Sequence, residues 1–293
     1  MTWEFTLTGL LIGVLVGMTG MGGGSLMTPI LILLFGFNAK VAVGTDILHG
    51  AIFKSFGAVH HRRLGTVHAR LAGWMLLGSA PMSLFGVQVA NRVGDHSMTS
   101  LQKIVGGALI VGGLGFLARM LVKNRGSDAP FHLQPRDRML AVLIGAIGGF
   151  VVGLTSVGSG TFFGLAMLFA YPLTAQKMVG TDLFHAAVLL WVAGISHLIH
   201  GDVNGHAMLW LLTGSIPGVL VGSHLSIRVP ERELRISFGF ILLLSGLKLV
   251  SFPQANYVIA VSLGVGVVVL VAWVTHQVRA HRAAARSLLR DAA

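Results

Sequence analysis

The sequence is built from two related halves. The segment GMTGMGGGS begins at Gly17 and GLTSVGSGT begins at Gly153, while VGTDILH begins at Val43 and VGTDLFH begins at Val179. Both pairs of segments lie 136 residues apart. Such self-similarity indicates an internal duplication, in which two copies of one unit build the fold.

Each half consists of long apolar runs separated by short polar breaks. Of the 293 residues 54% are hydrophobic and only 11% are charged, whereas soluble domains carry about 25% charged residues. This composition excludes an ordinary soluble domain and indicates a polytopic membrane protein, with the lipid bilayer as its partner. The net charge of +11 comes mostly from basic loops and the tail, so we interpret it as a topology signal and expect no nucleic-acid partner.

The apolar runs predict an all-α membrane protein, because lipid offers backbone groups no hydrogen-bond partner outside a helix. The predicted helices of the first half are 5–18, 25–37, 44–60, 71–91 and 101–121, and those of the second are 138–154, 160–172, 180–198, 206–226 and 234–251. A further span at 256–278 has no counterpart. The expected domains are repeat 1 (1–122), a cytoplasmic linker (123–137), repeat 2 (138–251), the extra transmembrane helix (256–278) and a basic cytoplasmic tail (279–293).

The charges of equivalent loops differ between the two halves. The loop His61–Arg70 contains three arginines, whereas its counterpart, His197–His206, contains neither Lys nor Arg. Because basic loops stay in the cytoplasm, the two loops are expected on opposite sides of the membrane. This predicts inverted-topology repeats, with the N-terminus outside and the C-terminus in the cytoplasm. The rival arrangement has parallel repeats, with residues 5–37 forming one tilted helix.

The glycine-rich segments predict helix breaks within the membrane. Helices over 5–18 and 25–37 would each be about 20 Å long, shorter than the roughly 30 Å hydrocarbon core. Each half would therefore begin with a broken-helix hairpin, and we expect the two tips to meet near the midplane. Free N–H groups at a helix start attract anions, and paired helix breaks often mark a transport site. The candidate anion-binding residues are Thr19, Gly20, Gly22, Gly23, Gly24, Ser25, Thr155, Ser156, Gly158, Ser159, Gly160 and Thr161.

Not every glycine is interpreted as part of a site. Gly9 and Gly13, like Gly145 and Gly149, are four residues apart, a spacing typical of close helix crossings in lipid. The tips could likewise be only turns.

Two acidic residues occupy equivalent positions inside predicted spans. Asp46 is followed by His49, and Asp182 by His185, at a spacing that places both side chains on one helix face. One hypothesis assigns these four residues to proton coupling. The alternative is that each Asp caps its helix and each His is an ordinary core residue.

Lys54 is a single basic residue about 15 Å inside its predicted helix, with Leu190 as its counterpart. An intramembrane lysine is costly and is therefore a functional candidate. Its role is left open between contacting an anion and pairing with Asp46 or Asp182.

The two glycine-rich tips, each followed by VGTD, resemble the sulfite exporter TauE/SafE family, also called the toluene-sulfonate uptake permease family. The similarity extends over about residues 5–251. The resemblance implies an inner-membrane permease for sulfur-containing anions, with the tips Thr19–Ser25 and Thr155–Thr161 and the VGTD segments as the binding region. The second tip departs from the first, since Ser156 and Ser159 replace Gly20 and Gly23.

The expected function is secondary transport of sulfite or an organosulfonate, coupled to the proton gradient. No GxxxxGK[ST] signature for ATP binding is present, and neither an enzymatic activity nor a cofactor or resident metal is expected. One alternative is a permease for a carboxylate or a divalent metal. Another is an intramembrane enzyme that uses the Asp–His pairs as acid–base groups. The expected partners are a small anion, protons and lipid, and a homodimer is left open.

Overall fold

The computed structural model describes residues 2–19, 24–121, 131–158, 160–225 and 231–259. Ten α-helices lie within these ranges. They are α1 (Thr2–Thr19), α2 (Gly24–Leu33), α3 (Ala39–Arg63), α4 (Ala69–His96), α5 (Met98–Leu121), α6 (Pro135–Thr155), α7 (Phe162–Ala170), α8 (Ala175–Ile199), α9 (Gly205–Leu225) and α10 (Glu231–Leu249). All ten belong to one compact unit that ends at Val250. The predicted all-α architecture is therefore confirmed.

The described residues that follow this unit are few. Residues 255–259 are helical, at the start of the extra span predicted for 256–278. The rest of that span, the basic tail and residues 122–130, which include the first part of the linker, lie outside the described residues.

Among the described residues, four helices are long and apolar enough to cross a membrane. They cover Met98–Ala118, Pro135–Thr155, Ala175–Ile199 and Gly205–Gly222. Shorter apolar helical segments cover Thr2–Val16 and Ile236–Leu249. The chain is a polytopic membrane protein.

The second helix of each half is short. Helix α2 has ten residues and α7 has nine, which makes them about 15 and 14 Å long, shorter than the expected 25–37 and 160–172. Helix α2 is followed closely by Gly36, whose φ of 68° leaves the helical region. Helix α7 stops before Tyr171, which takes an extended conformation because Pro172 follows it.

Helices α3 and α8 begin earlier than expected because polar side chains cap them. The side chain of Asn38 accepts a hydrogen bond from the Val41 N–H, and that of Thr174 accepts one from the Lys177 N–H. Side-chain acceptors of this kind stabilise a helix start by about 1 kcal/mol.

The largest helix contacts join the two halves. Helix α1 packs on α9, α6 on α4, α3 on α8 and α5 on α10. The helices of the two halves correspond in order, so that α1 is equivalent to α6, α3 to α8, α4 to α9 and α5 to α10. Exchanging equivalent helices therefore gives the same four pairs. This is the pattern expected of two repeats related by a two-fold axis.

Small residues allow the backbones of these pairs to touch. A methyl group placed on Gly9 would overlap the carbonyl oxygen of Leu211, and one on Gly145 would overlap that of Met75. One turn further along, Gly13 packs on Ser215 in the same way, and Gly149 packs on Ser79. These glycines serve close helix packing.

Candidate functional site

Helices α3 and α8 pack against each other and run antiparallel. Gly50 of α3 packs on Leu190 of α8, while Gly57 further along α3 packs on Leu183, earlier in α8. Gly194 and Leu48 extend the same register. The middle of the contact therefore lies near Ile52 and Val188, two positions that are also 136 residues apart.

Three charged side chains are buried around this crossing. Asp46, Lys54 and Asp182 are exposed by only 1%, 2% and 8%. By helical rise, Asp46 and Asp182 lie about 9 Å from the crossing in opposite directions, and Lys54 lies about 3 Å from it. Lys54 interacts electrostatically with both carboxylates. One buried ammonium group thus lies between two carboxylates.

Asp46 connects α3 to the two helix-break regions. Its Oδ2 accepts hydrogen bonds from the Thr28 N–H (3.2 Å), the Thr28 Oγ1 (2.5 Å) and the Ser156 Oγ (2.9 Å). Thr28 belongs to α2, and Ser156 follows directly after α6. The Asp46 Oδ1 is buried and has no hydrogen-bond partner among the described residues.

The hypothesis that the two aspartates cap their own helices is wrong. The caps are Asn38 and Thr174, and each aspartate lies eight residues beyond its cap. Asp46 instead accepts from an N–H of a different helix, α2. The capping hypothesis assumed that each aspartate lies near the start of its helix, whereas both helices begin earlier in the chain.

The second glycine-rich tip has the backbone of an abrupt turn. Ser156 has a φ of 62°, and Gly158 and Gly160 have φ values of 134° and 93°. The Thr155 Oγ1 donates to the Val151 carbonyl at 2.7 Å. Thr161 precedes α7 as its N-cap residue, and its buried Oγ1 has no partner among the described residues. The tip therefore presents an unused hydroxyl at a helix start.

The first tip is only partly described. Gly20, Gly22 and Gly23 lie outside the described residues, as does Ser159 of the second tip. Thr19 and Gly24 end α1 and begin α2, with Ser25 next in α2, but the side chains of Thr19 and Ser25 are not described. The meeting of the two tips near the midplane stays a prediction.

The two histidines form equivalent hydrogen bonds to helices of the other half. The His49 Nε2 lies 2.9 Å from the Ser215 Oγ, and the His185 Nε2 lies 2.9 Å from the Ser79 Oγ. The ring of His185 also packs against Phe163 at 4.4 Å. These serine partners were not predicted from the sequence, although both serines lie two residues before a proline at equivalent repeat positions.

A small pocket lies beside α3, between α1, α2 and α9. Its lining consists of Ile12, Val16, Met27, Asp46, His49, Gly50, Phe53, Lys54 and Ser215. Its free space accommodates about one water molecule. A larger ligand would therefore require the neighbouring side chains or helices to move.

The histidines and acids do not form a metal centre within the described part of the chain. No three His, Asp or Glu side chains converge there as a metal site would require. His49 and His185 each have a serine partner instead.

The fold and the known relatives of this sequence define a membrane transporter. The chain is 38% identical over 255 residues to the probable membrane transporter protein YjnA of Bacillus subtilis, covering 85% of this chain and all of that protein. The probable membrane transporter protein YdhB of the same organism is 25% identical over 241 residues, covering 82% of this chain and 96% of YdhB. The probable membrane transporter protein MJ0441 of Methanocaldococcus jannaschii is 24% identical over 259 residues, covering 82% and 92% of the two chains.

The family assignment agrees with these similarities. Residues 5–249 match the family described as sulfite exporter TauE/SafE. The chain belongs to the sulfite exporter TauE/SafE family, as the resemblance of its glycine-rich tips implied.

Proposed function

We propose that the protein is a secondary transporter of small sulfur-containing anions, sulfite or an organosulfonate, driven by the proton gradient. The observation that carries this proposal is Lys54, a buried ammonium group beside a pocket at the crossing of α3 and α8. A buried charge in the interior of a membrane protein is costly and is commonly retained for function. The family membership supports the sulfur-containing substrate.

The anion would bind where donors and positive charge converge. Lys54 supplies the charge, and His49 and Ser215 line the same pocket with groups able to donate hydrogen bonds. The second tip adds the buried Thr161 hydroxyl at the start of α7. Since the pocket holds about one water molecule in this conformation, anion entry would accompany the opening of helices that alternating access requires.

Proton coupling follows from the carboxylate in the same pocket. An ionised Asp46 would repel an anion that approaches Lys54, whereas a protonated Asp46 would not. Anion binding and proton binding would therefore favour each other, which is the thermodynamic basis of cotransport. Asp182 and the two histidines would complete the coupling group on the other side of the crossing.

The proposal includes the orientation of the chain in the membrane. Inverted repeats, an external N-terminus and a cytoplasmic C-terminus in the bacterial inner membrane account for the loop charges. The antiparallel crossing of the equivalent helices α3 and α8 supports the inversion, because parallel repeats would point these two helices in the same direction. A homodimer remains compatible with this arrangement.

The test is electrical measurement of the purified protein in proteoliposomes on a solid-supported membrane. Sulfite, thiosulfate, an alkyl sulfonate, acetate and Ni²⁺ would be applied in turn, with and without a pH gradient. We expect a current for a sulfur oxyanion that depends on the pH gradient. A response to acetate or Ni²⁺ alone would overturn the proposed substrate class.

Variants of two lysines connect the current to the site. We expect K54M to reduce the current about tenfold or more, the loss expected for one charge-assisted contact. The matched control is K103M, because Lys103 is an exposed residue of α5. Equal currents in K54M and K103M would show that the anion does not depend on Lys54.

A further inference from the structure

Each of the nine residues that line the pocket has a counterpart 136 positions away in the sequence. Four pairs keep their residue type: Val16 and Val152, Asp46 and Asp182, His49 and His185, and Ser215 and Ser79. Five pairs differ: Ile12 and Gly148, Met27 and Phe163, Gly50 and Ala186, Phe53 and Leu189, and Lys54 and Leu190. The nine counterparts are here called the counterpart site. Its Asp, His and Ser are the same as in the pocket, whereas its lysine position and most of its apolar wall differ.

The side chain of Phe163 fills the counterpart site. A methyl group placed on Gly148 of α6 would overlap the ring of Phe163. The same ring lies edge-on to His185 of α8, with the ring centroids 4.4 Å apart, and it is fully buried. Phe163 therefore occupies the space between the backbone of α6 and the histidine of α8.

The first repeat arranges its aromatic ring differently. His49 stacks on Phe53, which belongs to the same helix, with the ring centroids 5.9 Å apart. Met27 occupies the position equivalent to Phe163 and forms part of the pocket wall. In the second repeat Leu189 replaces Phe53. The aromatic partner of the histidine thus comes from its own helix in the first repeat and from α7 in the second.

The counterpart site also supplies no ammonium group of its own. Leu190 stands at the position equivalent to Lys54, and its side chain packs on Gly50 of α3. The hydroxyl of Ser79 is already hydrogen-bonded to His185. Because an anion in an apolar interior needs positive charge or free donors close by, this site is poorly suited to an anion in charge as well as in shape.

We propose that Phe163 closes the counterpart site and so determines that each chain binds its anion on one side only, the α9 side of α3. The inference rests on the proposed binding of an anion beside Lys54. A ring in a close-packed interior leaves no room for a ligand unless it is displaced. Met27, in contrast, lines a pocket with room for about one water molecule, and a methionine side chain adapts readily when a larger group enters. The duplicated Asp, His and Ser residues therefore do not form two anion sites.

The experiment uses the absence of cysteine from the sequence. Ser215 lines the pocket, Ser79 is its counterpart, and both are fully buried. The single-cysteine variants S215C and S79C thus place matched thiols at the two sites. Protein in detergent is treated with methyl methanethiosulfonate, a small uncharged reagent that reaches both ends of the protein, and labelling is followed by mass spectrometry. The labelling rate of a buried thiol reports how readily its surroundings open.

We expect S215C to react at least about tenfold faster than S79C, because a packed ring must move before the second thiol is reached. F163M, which introduces the residue of the equivalent position, should raise the S79C rate about tenfold, and the reciprocal change M27F should lower the S215C rate by a similar factor. Each exchange is judged on one and the same cysteine, so differences in thiol reactivity between the two sites do not enter. The control F169M alters an exposed residue of α7 and should leave the S79C rate unchanged.

Equal labelling rates of S79C and S215C, or equal effects of F163M and F169M on S79C, would overturn the role of Phe163. M27F gives a second test that does not depend on the folding of F163M. Ethanesulfonate, added as the probe anion, should slow the labelling of S215C and leave that of S79C/F163M unchanged, and equal protection of both thiols would overturn one-sided binding. If both exchanges act as expected while ethanesulfonate protects neither thiol, the proposed anion binding is rejected and Phe163 is retained as the residue that closes the counterpart site.

Discussion

The contact between Ser156 and Asp46 makes a quantitative prediction, because two substitutions separate its two energetic parts. The Ser156 Oγ lies 2.9 Å from the Asp46 Oδ2, and Ser156 has the left-handed φ of 62°. S156A removes the hydrogen bond and keeps the unfavourable backbone conformation. A hydrogen bond to a charged group contributes about 1.5–3 kcal/mol, so S156A should destabilise the protein by that amount.

S156G removes the same hydrogen bond and relieves the backbone. Glycine adopts positive φ without the steric cost that other residues bear, which is about 1 kcal/mol at the lower limit. S156G should therefore destabilise the protein by about 0.5–2 kcal/mol, roughly 1 kcal/mol less than S156A. It also reproduces the glycine found at the equivalent position, Gly20.

The assay is reversible unfolding in mixed detergent micelles, followed by circular dichroism, together with anion currents in proteoliposomes. The currents should fall equally in both variants, because both lose the link from the second tip to Asp46. Stabilities within about 0.5 kcal/mol of the parent for both variants, the usual range for a side chain without specific contacts, would refute the hydrogen bond. Equal destabilisation by S156A and S156G would refute the backbone argument.

Two further predictions concern packing and orientation. G149A should destabilise the protein by about 1–3 kcal/mol, the usual cost of overpacking, because its methyl group would overlap the Ser79 carbonyl. The control G73A should not destabilise the protein, because a methyl group at Gly73 would meet open space. Equal unfolding free energies of the two variants would contradict the close approach of α4 and α6. A reporter fused after Arg63 should be cytoplasmic and one fused after Gly201 extracytoplasmic, and the same location for both would exclude inverted repeats.

Much of the fold was predictable from the sequence. Each apolar run predicts a helix from its own residues, and the repeat predicts that the two halves share one arrangement. The predicted starts of α3 and α8 were less accurate, because the prediction did not include capping by Asn38 and Thr174. Both residues are of types that favour N-caps, so the signal was present in the sequence.

The partners of the site residues were not predictable in the same way. Asp46 receives hydrogen bonds from residues 18 and 110 positions away, and Ser215 is 166 positions from His49. These contacts depend on which helices pack together and in which register, and no local spacing encodes that information. Only the repeat offered a clue, because Ser79 and Ser215 occupy equivalent positions.

The two His–Ser pairs allow stability to be separated from function. His49–Ser215 and His185–Ser79 have the same length, 2.9 Å, and equivalent places in the two repeats. S215A and S79A should therefore cost the same free energy of unfolding, about 1 kcal/mol each. Their effects on anion binding should differ, because His49 and Ser215 line the pocket beside Lys54 whereas His185 and Ser79 are not among its lining residues.

The measurement is the anion concentration at half-maximal current, compared with the unfolding free energy of the same variants. S215A should raise this concentration several-fold, about as expected for one neutral hydrogen bond, and S79A should leave it unchanged. Equal increases in both variants would mean that the anion contacts the two repeats alike, at the two-fold axis and not on the α9 side of α3. Unequal unfolding energies would instead show that the two pairs, despite their matching geometry, are not energetically equivalent.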